Sequence, residues 1–355
     1  MASTPRRISL TFQRSRPGRV LVVKPDGRLY SCRHHTIYCS RDDGVIWTRV
    51  TAIGGWSWRR LAEMSRLACR LLRHEIRGLV EVPDGGLVAT TRDAVYFCGT
   101  NEPKMTRSRI AEQGETPRAP MSLTVGPGKR VLWGEYWGNR ERRRVRLYVS
   151  EDAGRSFEVC RVFEPGVIKH VHNIIFDEAE NSYWVLAGDH GAEPGIGRLS
   201  SDLREFDWLV KGKQEYRAVC SFDLGDCLVY GTDSEMAPNA VIRLEKRSGR
   251  IERLAELPGS CIYACRFGGW YVVSTSVEPS RVNKTREAGL WVSRDTLEWH
   301  QVHVAPKDRW NASYFQFGSL VLPRGESNRE TIFFSGQAVR GLDGRLFAAA
   351  LGEAP

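Results

Sequence analysis

The sequence predicts an all-β chain folded as a seven-bladed β-propeller, from a repeated turn motif, its steady period, and short strand-like segments filling each period. The motif is Ser40-Arg41-Asp42-Asp43-Gly44-Val45-Ile46-Trp47, matched by Ser150-Glu151-Asp152-Ala153-Gly154-Arg155-Ser156-Phe157; both read S-x-D-x-G-x-x-(W/F). In such a turn the Ser and Asp side chains bond backbone amides, Gly takes a conformation other residues avoid, and the aromatic ring plugs the turn into its sheet. Weaker copies, missing the glycine or a spacer, occur at Thr91-Arg92-Asp93, Ser200-Ser201-Asp202 and Ser293-Arg294-Asp295. Polar turns at Arg247-Ser248-Gly249 and Leu342-Asp343-Gly344 complete a set of seven markers spaced 46–59 residues apart, close to one four-stranded blade. Between them run β-rich segments such as Arg19 to Val23, Gly86 to Thr90, Ser182 to Leu186, Cys227 to Tyr230 and Trp270 to Ser274.

At 355 residues the chain exceeds the usual domain size, but propellers of this length fold as one unit, so one propeller domain over 1–355 is expected. One segment departs from the strand pattern. Trp58 to Arg73 places apolar residues at 61, 64, 67, 68, 71 and 72, a helical spacing, with Ser57 as the expected N-cap. It reads as an inserted amphipathic helix over about 57–73 covering one face of the propeller; a partner or membrane-surface helix is the other reading.

The net charge of +10 suits nucleic acid, an anionic membrane surface or an acidic polysaccharide. Nucleic-acid binding rests on charge alone, without the interleaved basic and aromatic residues of its known modules, so no nucleic-acid partner is expected. Arginine outnumbers lysine, which favours planar, bidentate recognition of carboxylate or phosphate. The run from Arg140 to Arg146 reads as a solvated hairpin turn. Arg6, Arg7, Arg14, Arg16 and Arg19 interrupt every early apolar run, and nothing approaches the roughly 18 apolar residues of a membrane span. Nine scattered cysteines without a CxxC pair read as small buried hydrophobes in a reducing cytoplasm, the expected location.

Propellers bind ligands at the channel mouth, so candidate site residues should recur once per blade at similar phase. Polar clusters do recur in this way: Trp133-Gly134-Glu135-Tyr136, Lys169-His170-Val171-His172-Asn173, Gln214-Glu215-Tyr216-Arg217, Ser276-Val277-Glu278 and Tyr314 to Phe317, with Asp189 and Asp233 ending nearby strands. His170 and His172 alternate on a strand and project to one face, as a paired site for a proton shuttle or a metal. Spacing identifies no third ligand, so neither metal nor cofactor is assigned. Arg217 could neutralise a uronate carboxylate while Tyr216 or a histidine moves the C5 proton, the requirements of a β-elimination lyase; in a regular strand, however, Tyr216 and Arg217 face opposite ways. Glu135, Asp177, Asp189, Asp233 and Glu278 could instead supply the carboxylate pair of a glycoside hydrolase. Asp177 reads as part of a hairpin turn. Lys307 and Arg309 beside Trp310 combine charge with an aromatic ring, as sugar subsites and capped turns both do.

The two complete motifs resemble the Asp boxes of sialidases and other BNR-repeat propellers, among them polysaccharide lyases and many binding proteins. The run from Trp133 to Arg309 (WGEY, HVHN, YRAV, GTD, VEPS, KDR) is similar to Asp-box propellers of bacterial polysaccharide gene neighbourhoods. Sialidases also carry an Arg-Ile-Pro motif, which is absent here. The resemblance implies fold rather than reaction. Together these readings lead to the expectation of a carbohydrate-active propeller that cleaves or modifies an acidic, uronate-containing polysaccharide, by elimination rather than hydrolysis. Its expected catalytic residues are His170, His172, Tyr216 and Arg217. Substrate binding is expected from Trp133, Glu135, Tyr136, Asn173, Asp189, Asp233, Glu278, Lys307 and Arg309. The alternative is a non-catalytic glycan-binding or assembly propeller in polysaccharide synthesis.

Overall fold

The computed structural model describes residues 8–54, 62–111 and 118–353. Short antiparallel strands joined by tight turns build seven four-stranded blades. Their innermost strands are Arg19–Val23, Gly78–Glu81, Thr124–Val125, Val171–Asp177, Phe222–Asp223, Cys261–Phe267 and Ser319–Val321. Blade 7 is closed by both ends of the chain: Ile8–Pro17 forms its outermost strand, antiparallel to Arg345–Glu353, in a register running from Ile8 opposite Glu353 to Pro17 opposite Arg345. Ring closure in this way pairs the two terminal strands in one blade and leaves the free sheet edges to the blades' outermost strands.

The blades are held together by apolar clusters at their junctions. One joins blades 1 and 2 through Ile37, Ile53, Leu79 and Ala89; another joins blades 4 and 5 through Trp184, Leu186, Tyr230 and Ile242; a third joins blades 6, 7 and 1 through Phe267, Phe333 and Val20. Buried strands on both faces explain the continuous apolar runs in the sequence.

The two complete S-x-D-x-G motifs connect the third and fourth strands of blades 1 and 3. In blade 1, Ser40 Oγ donates to Asp42 Oδ1 (2.7 Å) and accepts from Gly44 N (3.0 Å), while Asp42 accepts from Ile46 N (2.9 Å). Blade 3 repeats this pattern with Ser150, Asp152, Gly154 and Ser156. Both turns hold two consecutive residues at positive φ, Asp43-Gly44 and Ala153-Gly154. The degenerate turns of blades 4 and 6 keep the Ser-to-Asp bond but hold only one such residue, Leu203 or Thr296, which removes the need for glycine. Two expected markers belong elsewhere: Asp93 and Asp343 lie between second and third strands, at the opposite end of their blades. The seven-blade period survives because every blade carries a polar turn at each end.

The inserted helix is described as Arg66–Leu72, following blade 1 and preceding blade 2. Its N-cap is Ser65, which accepts from Ala68 N; the expected cap Ser57 lies outside the described residues. Met64 and Leu71 are exposed, and the helix is anchored chiefly by charge: buried Arg70 pairs with Asp308 (2.5 Å) and donates to Phe315 O, while Arg66 pairs with Asp343 (3.1 Å). Asp308 and Asp343 serve blade 7, so the helix spans neighbouring blades across the ring face.

At the opposite face, Lys246 and Asp177 form a fully buried pair. Lys246 Nζ meets Asp177 Oδ2 and Asp223 Oδ1, each at 2.6 Å, and Trp184 Nε1 donates to Asp177 Oδ2 at 3.0 Å. Despite burial, the Lys246 and Trp184 hydrogen bonds hold Asp177 below the ordinary carboxylate range, and the carboxylates raise Lys246. The pair's stabilisation is therefore complete between about pH 4 and pH 10; it is lost as pH falls through the lowered Asp177 value or rises through the raised Lys246 value.

Removing Lys246 leaves two carboxylates facing each other, so Lys246→Met should cost about 3–5 kcal/mol in denaturant-induced unfolding, and adding Asp177→Asn should restore part of it. Gly154 (φ +85°) has Val88 Cγ2 only 2.4 Å from where a Cβ would stand. Gly154→Ala should lower the unfolding free energy by about 1–3 kcal/mol, visible as a reduced Tm with the fold retained.

Candidate functional site

In every blade the crossover into the innermost strand and the loop between second and third strands reach the same ring face. Blade 4 brings Lys169 and His170 on its crossover, and His172 at the start of its innermost strand, against Asp189 on its loop. His172 sits in a bulge, since Val171 pairs with Ala187 and Asn173 with Leu186. The bulge turns His172 toward His170 and leaves their Nε2 atoms 3.0 Å apart. Asp189 Oδ1 lies 3.2 Å from His170 Nε2 and 2.9 Å from His172 Nε2. Each Nδ1 faces a carbonyl, Trp137 O at 2.7 Å and Ala218 O at 2.9 Å. Carbonyls only accept, so each Nδ1 carries a proton and each ring turns its Nε2 inward, toward the other ring and Asp189.

Blade 5 adds Arg217 on its crossover and Asp233 and Glu235 on its loop. Arg217 Nε lies 3.4 Å from Asp189 Oδ1, and Nη2 lies 3.3 Å from Asp233 Oδ2 and 3.8 Å from Glu235 Oε1. Neither Nε nor Nη1 of Arg217 makes a hydrogen bond, and Asp233 Oδ1 makes none. Blade 6 supplies Glu278, close enough to Asp233 and Glu235 for its carboxyl to be pushed up to about 8 by burial and by their charge. Lys169 Nζ closes on Asp189 Oδ2 at 2.5 Å.

Burial dominates the electrostatics. It lowers the pKa of His170 and raises that of Asp233. Burial also opposes the ionisation of Asp189, but the two imidazoles override it and pull the carboxyl far below the ordinary range. Tyr136, from the blade 3 loop, packs against His170 with ring centroids 4.2 Å apart and planes tilted by 39°. Burial, followed by the charges of Asp189, Asp233 and Glu278, raises its phenol, so it stays protonated. Gly134 makes this loop's approach possible: a Cβ there would stand 2.5 Å from Val171 Cβ.

Tyr136 also lines the central channel, a cavity of about 1560 Å³ whose wall carries Arg19, Arg73, Arg77, Arg92 and Arg324. Arg73 and Arg77 lie within electrostatic reach of Tyr136, and burial together with neighbouring guanidiniums lowers both. Arg324, on a strand pairing with the innermost strands of blades 1 and 6, crosses to blade 4 and donates to Asn173 Oδ1 at 3.0 Å. Tyr136 thus separates a basic cavity from the His-Asp-Arg cluster.

Of the sequence-predicted residues, the structure gathers His170, His172, Asp189, Arg217, Asp233, Glu278 and Tyr136. Asn173 faces the channel instead. Tyr216 does not reach the cluster: it begins no strand but ends a short 3₁₀ turn, and its ring packs among Trp184, Leu186 and Tyr230. Trp133 is fully buried, stacked on Tyr148 at 4.1 Å. Glu135 is a buried acceptor for Arg118 N and Arg146 N, holding blade 3 together. Lys307 bonds Asp308 and Trp310 O beneath the inserted helix, and exposed Arg309 lies over Trp310. Lys169 was read only as part of its polar cluster, and Glu235 and the channel arginines were given no site role from sequence. Lys169 and Glu235 adjoin recognised motifs, whereas Arg73, Arg77 and Arg92 are scattered and become a group only in the ring.

No family model matches the sequence, and no curated protein sequence matches it. Among solved structures the chain is similar to a catalytically inactive variant of virginiamycin B lyase from Staphylococcus aureus with quinupristin, at 14% identity and TM-score 0.61 over 97% of this chain and 99% of that one. It is also similar to the extracellular domain of a one-component system protein from B. thetaiotaomicron (13% identity, TM-score 0.59, 97% of this chain and 43% of that one) and to a chain of the mitotic checkpoint complex (9%, 0.60, 99% and 95%). Fold and likeness together define a β-propeller. No helix among the described residues is long and apolar enough to cross a membrane.

Proposed function

We propose that the protein is a carbohydrate-active propeller, related to the Asp-box group, that cleaves a uronate-containing polysaccharide by β-elimination at this ring face. The observation that carries the reading is the meeting, at Tyr136, of an arginine-walled cavity with a buried cluster of proton-handling groups. Elimination at a uronate needs its carboxylate neutralised, a base for the C5 proton and an acid for the departing O4 oxygen. Arg73 and Arg77 offer the first. Tyr136, kept protonated, offers the acid, a part that sequence reasoning gave to Tyr216. The inward acceptors of His170, His172 and Asp189 supply the basic side, with Arg217 opposing the charge that develops.

One observation favours the non-catalytic alternative: His170, His172, Asp189 and Arg217 are each under 6% exposed, which suits a wall that shapes a glycan site without reacting.

Incubation with a panel of uronate polysaccharides, following the absorbance of the unsaturated product and reducing ends in parallel, separates the two. Tyr136→Phe should lower kcat by about 10²–10⁴-fold, the usual weight of a proton-transfer group. Arg77→Ala should chiefly raise KM. Binding without product in either assay supports the non-catalytic reading; reducing ends without unsaturated product mean hydrolysis and overturn elimination.

A further inference from the structure

The triangle formed by His170 Nε2, His172 Nε2 and Asp189 Oδ1 has edges of 3.0, 3.2 and 2.9 Å. With both Nδ1 protons committed to carbonyls, the two inward nitrogens and the carboxylate oxygen are the atoms left to bind a shared cation. Three such atoms this close need a cation shared among them, a proton on a ring nitrogen or a metal ion. We propose that His170, His172 and Asp189 bind a divalent first-row transition metal, held on one triangular face with its remaining positions open. The cation belongs to the same site as the proposed elimination, but it rests on the ligand geometry alone.

Three further observations support it. Ligands about 2.1 Å from a metal lie about 3.0 Å apart at right angles and about 3.4 Å apart in a tetrahedron, so the observed edges fit octahedral geometry. Each imidazole donates its other nitrogen to a backbone carbonyl, the outer-shell arrangement that fixes metal-ligating histidines. Charge agrees as well. Asp189, Asp233, Glu235 and Glu278 bring four carboxyl groups to the cluster against the two cations Lys169 and Arg217, so acidic side chains outnumber basic ones around the triangle. Two imidazoles with one carboxylate suit Mn²⁺, Fe²⁺, Co²⁺ or Ni²⁺, while Ca²⁺ and Mg²⁺ prefer oxygen ligands. His170 and His172 then act as ligands, and the basic group of an elimination becomes an oxygen bound at an open position.

The same fold offers an internal control. His35, Glu63 and His74, beside the inserted helix, also bring ligand atoms within 4.8 Å of one another, but two of the three are only part-buried.

The full-length protein, stripped with EDTA and titrated with Mn²⁺, should take up one ion per chain. His172→Gln and Asp189→Asn should each weaken uptake at least 100-fold, and His74→Ala should leave it unchanged. Because both site variants lie in a buried cluster, the wild type carries an independent readout: bound Mn²⁺ should broaden the ring-proton NMR signals of His170 and His172 and spare those of His35 and His74. Absence of stoichiometric uptake overturns the proposal, as does uptake that survives both site variants, or uptake and broadening that follow His74. Metal is measured here without substrate, so stoichiometric Mn²⁺ with no activity on uronates sinks the elimination reading alone, and activity without Mn²⁺ uptake sinks the metal alone.

Discussion

A four-stranded antiparallel blade returns to its starting end twice, and the rest of the molecule depends on this constraint. The crossover and the second loop of each blade must share one ring face, while the first and third turns share the other. The cluster obeys it: His170 ends a crossover and His172 begins the strand that follows, opposite Asp189 on a loop, and Arg217 lies on the next crossover opposite Asp233 and Glu235. The Ser-Asp turns fall at the other end for the same reason. Closure of blade 7 by Ile8–Pro17 fixes the ring that sets these blades side by side.

The two faces treat buried charge differently. Around Lys246 the ammonium meets two carboxylates and Trp184 adds a hydrogen bond, so the desolvated charges are satisfied. Around Arg217 two guanidinium nitrogens and one oxygen of Asp233 lack hydrogen bonds, although the side chains are almost as deeply buried. Unsatisfied buried polar atoms are costly and rare in native proteins, and a fold able to satisfy Lys246 is not short of the means. Three such atoms meeting in the one Arg217–Asp233 pair mark a place where the chain gives up stability.

The architecture was legible because it repeats. Two good motifs and five poorer ones fall into one period, and a period tolerates errors: Asp93 and Asp343 were placed at the wrong ends of their blades without disturbing the number of blades. The site was legible only in part. His170 and His172 announce themselves by alternation, but the residue that completes their triangle is Asp189, on a loop 17 residues beyond His172, and only the strand pairing of Val171 with Ala187 brings it back. Tyr216 and Trp133 misled because an aromatic beside a charged residue looks the same in a wall as in a core; the packing of Tyr216 against Trp184 and of Trp133 against Tyr148 decides it.

Arg19, Arg73, Arg77, Arg92 and Arg324 come from blades 1, 2 and 7 and from the end of the inserted helix, and nothing in local sequence links them. Gathered on one cavity wall with Lys24, Arg28 and Arg266, they outnumber the carboxylates Glu75, Glu81, Glu178, Asp223 and Glu326 on the same wall, so the cavity keeps a net positive lining. Across Tyr136 the balance reverses, with carboxyl groups outnumbering Lys169 and Arg217. A phenol between poles of opposite sign is held protonated by one and exposed to an anion drawn in by the other. Position, rather than any single side chain, therefore makes Tyr136 the junction between the basic cavity and the carboxylate-rich cluster.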